Sequence, residues 1–455
     1  MAVRKCSEYI KRNRRRHQMG KLLKTVLTIF IACALVSSPV MAETEQPGYT
    51  LDGVTVLSRH NIRSPLSGSG SLIGDITPHE WFKWTSNPSE LSLRGAILET
   101  LMGQYFRMWL EDQGLFPENY RPEEDEVRLY SNSKQRTLAT TRYFSAGLFP
   151  VADVPIEHHG EYDTMDPTFS PNLTFLNDDY ARDVQDQIAA RGGDKGIEGF
   201  HEKRLDAIRL LMDVTDMNES EAYRSGKFGD LLTDPTNIVL EEGKEPAMTG
   251  PLKTATSVAD ALTLQYYEVE DDKAAAFGHD LTREDWVKIH GIVDTYTDIL
   301  FGTPLLSVNE AHPLLREIRS ELSADKRKLT FLCGHDSNIA SVLSALGVKE
   351  YELPETVEPH TPIGVKLVFE RWLDKNGEAF YQVSLVYQST EQLRNYEKLS
   401  LENPPMKVAV RFDGVKSNAD GLIAEADLLA LFDSAIGAYD ELLEQYDAEE
   451  ADAAA

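Results

Sequence analysis

Within five residues, the stretch Arg59-His60-Asn61-Ile62-Arg63-Ser64-Pro65 sets two arginines around one histidine. Guanidinium forks fit phosphoryl oxygens. A neutral imidazole between them could attack phosphorus while the cations bind the group and stabilise its transition state. The same residues could instead form a surface turn with solvated arginines. A second stretch, Gly334-His335-Asp336-Ser337-Asn338, offers an imidazole donor for a phosphate oxygen. It also offers a carboxyl for the leaving oxygen, provided Asp336 is protonated when substrate is bound. The plainer role for Asp336 is an N-cap. Arg136, in Asn132-Ser133-Lys134-Gln135-Arg136-Thr137, is a third candidate, with an ordinary surface arginine as its alternative.

The elements that must position these residues are legible as periodic patterns. Residues 48–58, 127–131 and 328–333 read as strands, and each candidate stretch follows one of them. The carboxyl end of a strand in an open α/β sheet is where ligands bind, and a helix N-terminus favours an anion. Helices are predicted over 94–113, 137–148 and 337–346; in the last, Ile339, Val342, Leu343 and Leu346 recur at helical spacing. Residues 365–372 and 381–387 read as further strands. Between the two α/β parts, 200–212, 260–268 and 284–300 read as helices with no convincing strand among them. The expected architecture is a mixed sheet flanked by helices, residues 43–170 and 306–440, with an inserted, mainly helical domain over 171–305. Residues 441–455 read as an acidic, Ala-rich tail.

Composition narrows the function further. The chain has 455 residues, enough for about two or three domains, and carries a formal charge of −28. That balance argues against nucleic acid as a partner, because phosphate backbones are bound through a Lys and Arg surplus. Residues 1–42 carry nine Lys and Arg against one Glu, then an apolar run from Thr25 to Val36, then a small-residue cleavage pattern ending at Ala42. This is the layout of a secretory signal peptide, with an uncleaved anchor as its alternative. The run is short for a membrane span, so no stable membrane association is expected after cleavage, and the mature protein is expected in the periplasm. Cleavage would leave −36, and of the three cysteines only Cys333, so no intramolecular disulfide.

Taken together, Arg-His-x-x-Arg and a distant Gly-His-Asp resemble the histidine acid phosphatase branch of the histidine phosphatase superfamily. Its signature is Arg-His-Gly-x-Arg-x-Pro; here Asn61 stands in the Gly position. The resemblance continues through Thr164 to Phe169, Glu245-Pro246, Gly250 to Lys253, Leu262 to Glu268, Gly334 to Leu346, Thr361 to Gly364 and Val386 to Asn395. It implies that His60 is a nucleophile forming phosphohistidine and that Asp336 is the proton donor. Arg59, Arg63, Arg136 and His335 would bind the phosphoryl group, and Glu245 would reach over the site toward a sugar. No metal and no cofactor are implied. The activity implied is that of an exported acid phosphomonoesterase acting on small sugar phosphates such as glucose 1-phosphate. A phytase acting on inositol hexakisphosphate is the main alternative, and a non-catalytic binding protein a weaker one. The acidic chain disfavours the polyanion. His158-His159 and Cys333 carry less: adjacent histidines diverge, and the cysteine sits in an apolar strand.

Overall fold

A computed structural model describes residues 48–66 and 72–448. The leader read over 1–42 and the end of the tail, 449–455, lie outside the described residues. Ten strands occur among those described: β1 Tyr49–Arg59, β2 Val127–Ser131, β3 Ile156–Glu157, β4 Asn237–Val239, β5 Ala247–Thr249, β6 Leu329–Gly334, β7 Lys366–Asp374, β8 Ala379–Tyr387, β9 Met406–Ala409 and β10 Ile423–Ala424. Eight form one mixed sheet in the order β10-β8-β7-β1-β6-β2-β3, with β9 also on β8. β1, β6, β2 and β3 run parallel, while β7 and β8 continue antiparallel from β1.

The central strands are rich in β-branched and aromatic residues, which suits a pleated sheet covered on both faces. Period-two alternation decides which face each side chain meets. Val56, Phe331 and Val368 point to one side, where Phe106 and Phe144 pack from the helices Leu93–Asp112 and Gln135–Leu148. Leu57, Leu332 and Phe369 point to the other, against the helices Pro304–Glu321, Asp336–Ala345 and Glu425–Gln445. Cys333 is buried and free in this core.

The register places the chemistry. Arg59 of β1 lies opposite Gly334 of β6, and Ser131 of β2 opposite Cys333. His60, His335 and Asn132 therefore leave three adjacent parallel strands at the same carboxyl edge.

Between β3 and β6 the chain is mainly helical, with long helices Asp178–Gly192, Glu198–Val214, Pro251–Glu268 and Arg283–Phe301. Two expectations change here. The β4–β5 hairpin is a strand pair where none was expected; each strand has only three residues, too few for a periodic signal. The helix expected from Asp260 starts at Pro251, because Gly250-Pro251 supplies proline at the first turn, where its missing N–H costs nothing. At the C-terminal end, the helix Glu425–Gln445 continues into the stretch read as tail. Tyr446 pins it, accepting Asn177 Nδ2 on its carbonyl (2.8 Å) and donating its hydroxyl to Asp183 (3.0 Å). No helix among the described residues is long and apolar enough to cross a membrane.

Candidate active site

The loop after β1 is fixed before any ligand enters. Ile62 is wholly buried, an anchor worth about 1.5–3 kcal/mol, and its carbonyl accepts the Ser92 N–H at 2.9 Å. Ser92 caps the helix Leu93–Asp112 by accepting from the Gly95 N–H at 3.1 Å. A Cβ at Gly95 would fall 2.3 Å from the Ile62 carbonyl oxygen, so this close approach of helix and loop requires glycine.

His60 is buried, and its ring Nδ1 lies 2.9 Å from the Asn61 carbonyl oxygen. A carbonyl only accepts, so Nδ1 carries the proton and Nε2 keeps its lone pair. Burial, then Arg136, His335, Arg63 and Arg59, push this imidazole well below its ordinary range, which keeps it neutral and nucleophilic.

His335 stands edge-on to His60, ring centres 5.4 Å apart. Its tautomer follows from its neighbours. Asn132 Oδ1 accepts the Asp166 N–H at 3.0 Å, which turns Asn132 Nδ2 toward His335 Nε2 at 2.8 Å. Nε2 is thus the acceptor and Nδ1 bears the proton. Arg136 Nη2 approaches that Nδ1 at 3.4 Å, so two N–H donors converge on one place, an arrangement an anion's oxygen would satisfy. Burial and the neighbouring Arg63 pull Arg136 down to about 10, still cationic at neutral pH.

Arg59 is buried between carboxylates, 3.0 Å from Asp336 and 2.8 Å from Glu358, and also donates to the Thr361 carbonyl. Arg63 reaches Asp260 at 3.2 Å. Asp336 is the first residue of its helix rather than its cap, which is His335. Its Oδ1 accepts the Ser337 N–H at 2.9 Å. Burial raises the Asp336 carboxyl, but Arg59, His335 and Arg63 outweigh this and hold it at about 2. In the unliganded site it is therefore a carboxylate.

These side chains line a cleft of about 210 Å³. His60, Arg63, Arg136, His335 and Asp336 are among its lining residues. Lys253, Thr256, Ser257 and Asp260 come from one face of the helix Pro251–Glu268, at i, i+3, i+4 and i+7. Glu245, in the loop leading into β5, also lines the cleft, with apolar side chains such as Val293, Tyr296 and Phe301; enclosure and then Asp336 raise its carboxyl above the usual range. All seven residues singled out by sequence thus converge here, with Arg59 behind the wall. Sequence reasoning missed Asn132, Asp260, Lys253 and Glu358. Lys253 and Asn132 lay within quoted stretches, Gly250 to Lys253 and Asn132 to Thr137, but neither was singled out. Among the described residues no group of three or more His, Cys, Asp or Glu side chains is placed to hold a metal ion. His159 bonds instead to Tyr130 (3.0 Å) and Glu157 (2.8 Å).

A parallel-centred α/β sheet presenting a neutral imidazole among arginines defines an enzyme of phosphoryl transfer. The chain belongs to the histidine phosphatase superfamily (branch 2), whose family model matches residues 50–191 and 302–388. It is 39% identical over 404 residues to the glucose-1-phosphatase of Salmonella typhimurium, covering 88% of this chain and 96% of that one. Identity to the glucose-1-phosphatase of Providencia rettgeri is 38%, with the same coverage. Among solved structures it resembles the apo form of Hafnia alvei phytase, with a TM-score of 0.79 and 26% identity over 87% of this chain and 99% of that one.

Proposed function

We propose that the protein is an exported acid phosphomonoesterase that hydrolyses glucose 1-phosphate or a similar small sugar phosphate through a phosphohistidine at His60. The observation that carries this reading is the His60 ring: Nδ1 is occupied by the Asn61 carbonyl, Nε2 is free, and Arg63, Arg136, His335 and Asp336 share its cleft. Nε2 bonds to phosphorus as the ester P–O bond breaks, and the sugar oxygen takes a proton from Asp336. Water then attacks phosphorus, the P–N bond breaks, Asp336 accepts the water proton, and inorganic phosphate leaves. Arg59, Arg63, Arg136 and His335 hold the phosphoryl oxygens and take up their charge, the work a metal does elsewhere. The anion they bind offsets their pull on Asp336 and lets its carboxyl hold the proton, which a monoanionic ester brings with it at acid pH.

Cleft size and charge support a small ester. Its volume of about 210 Å³ lies below the ~300–1,000 Å³ typical of pockets for drug-sized ligands. Beyond the arginines, Lys253 is the one Lys or Arg among the described lining residues, and it shares that lining with the carboxylates of Glu245 and Asp260. The other phosphates of inositol hexakisphosphate would meet these carboxylates. The likeness to a phytase structure is what favours that second reading. Glu245 would contact the sugar.

Residues 171–305 would form an inserted domain, which the gap in the family match between 191 and 302 supports. Residues 1–42 would be removed on export to the periplasm, leaving Glu43 as the N-terminal residue found by sequencing. The deciding experiment is phosphate release from glucose 1-phosphate, inositol hexakisphosphate and p-nitrophenyl phosphate with EDTA present, paired with rapid-quench labelling. Activity on the sugar phosphate and an acid-labile, alkali-stable label on His60 are expected. Label elsewhere, or activity restored only by Zn²⁺ or Mg²⁺, would overturn the reading.

A further inference from the structure

We infer that Asn61, clamped by the buried Glu99–Lys366 ion pair, is a positioning residue that holds the His60 ring in its attacking orientation. The inference rests on His60 being the nucleophile. Asn61 stands where the family signature carries glycine, and its side chain is restrained at both ends. Its Nδ2 donates to Glu99 Oε2 at 2.8 Å, and its Oδ1 accepts the Ile62 N–H at 2.8 Å. Its backbone N–H donates to Thr140 Oγ1 at 3.1 Å. With amide and backbone both fixed, the Asn61 carbonyl has one direction, and that carbonyl is the acceptor for His60 Nδ1.

The clamp also reaches the other side of the nucleophile. The remaining Glu99 oxygen lies 2.9 Å from Lys366 Nζ, and both side chains are 0% exposed. Lys366 in turn donates to the Gly364 carbonyl at 3.0 Å and to Ser58 Oγ at 3.2 Å. Gly364 donates its N–H to the His60 carbonyl at 3.1 Å. Gly364 has a φ of +69°, and a Cβ there would sit 2.8 Å from Asn61 Nδ2. Glycine at 364 thus makes the space that Asn61 occupies. A fully buried ion pair gains little net stability, because desolvation offsets the attraction. What this pair supplies is direction: one carboxylate and one ammonium orient the peptides on both sides of His60.

The test is Asn61→Ala, read by single-turnover phosphorylation and by 15N spectra of the histidine rings. The phosphorylation rate should fall about tenfold, the effect of one net hydrogen bond on the reactive geometry. The half-saturating substrate concentration should stay within about twofold, because the phosphate-binding groups are untouched. The His60 signals should shift from one tautomer toward a mixture. Asn61→Asp should be impaired at neutral pH, where it faces Glu99 as a second carboxylate. It should recover in acid, where a protonated carboxyl can donate as the amide does. A purely structural role would lower the folded fraction and leave the rate per folded molecule unchanged. That result, or an Asn61→Asp variant with the wild-type pH profile, overturns the inference. Should Asn61→Ala fail to fold, Asn61→Gly, the residue of the family signature, gives the same comparison. A wild type that forms no phosphohistidine would refute the functional reading instead.

Discussion

Asp336→Asn isolates proton delivery because the side chain keeps its size and loses only its transferable proton and its charge. The two Asp336 oxygens serve the Ser337 N–H at 2.9 Å and Arg59 Nη2 at 3.0 Å. Asparagine has one oxygen for two donors, so one of these bonds is lost, while Arg59 keeps Glu358 at 2.8 Å. That common cost is about 10–10²-fold in rate for any substrate, the worth of one hydrogen bond to a charged group. Loss of general-acid catalysis adds about 10²–10⁴, but only where the leaving group needs a proton. A sugar alkoxide needs one and p-nitrophenolate does not. The selectivity for glucose 1-phosphate over p-nitrophenyl phosphate should therefore fall by about 10²–10⁴, the common cost cancelling in the ratio. The assay is rapid-quench phosphoenzyme formation from both substrates at one pH. Removing a negative charge from the cleft should also tighten binding of inorganic phosphate, which shows that the variant's site is intact. Equal fractional losses on the two substrates, with tight phosphate binding, would refute Asp336 as the donor and leave it a helix-terminal residue.

The depressed imidazole of His60 predicts that the acid limb of kcat/KM lies well below pH 6.5; a limb at 6.5 would show an ordinary, solvated histidine. The Asp336 carboxyl sits at about 2 in the folded, unliganded protein against about 3.9 unfolded. Its contribution to stability is thus present above about pH 4 and lost as pH falls toward 2. Urea unfolding should show the gap between wild type and Asp336→Asn closing over that window, and a constant gap would contradict the shift. Glu358→Ala should cost about 3–5 kcal/mol in denaturant unfolding, because Arg59 loses a buried partner and Tyr267 its 2.6 Å acceptor; a cost under 1 kcal/mol would show that Asp336 alone compensates Arg59. Glu245→Ala should lower kcat/KM for glucose 1-phosphate more than for p-nitrophenyl phosphate, and an equal effect would remove Glu245 from the sugar side of the cleft.

What was legible in the sequence was what local pattern encodes. Strands ending in Arg59 and Gly334 announced themselves through apolar runs followed by chemistry-bearing residues, and the register that sets these ends side by side did the rest. Illegible were partners fixed by tertiary contact alone. Glu358 meets Arg59 across almost 300 positions, and a lone glutamate in a loop has no local mark of burial. Asp260 lay at the expected start of a helix, where no face of that helix could yet be assigned to it. The true start at Pro251 turns it into an inward residue one heptad beyond Lys253, facing Arg63. Asn61 was visible only as a departure from a signature. Its meaning needed Glu99, from a helix, and Lys366, from β7, to be brought together under it.

The strand order has a consequence for how the molecule comes into being. β6 lies between β1 and β2, so the middle of the parallel sheet is supplied by residues such as Leu329 that pair with Val54 and Val127. A ribosome delivers both flanking strands, and the whole helical region, before the piece that joins them. Until then β1 and β2 expose open edges, and closing so long a loop is slow. Chaperones that cover strand edges are therefore expected to raise the yield of active protein, while oxidative folding catalysts should not, since Cys333, the one cysteine among the described residues, is free. His60 meets His335 and Asp336 only when β6 docks. With those residues as the catalytic groups proposed above, a nascent or unfolded chain is expected to be catalytically silent, whatever compartment it occupies.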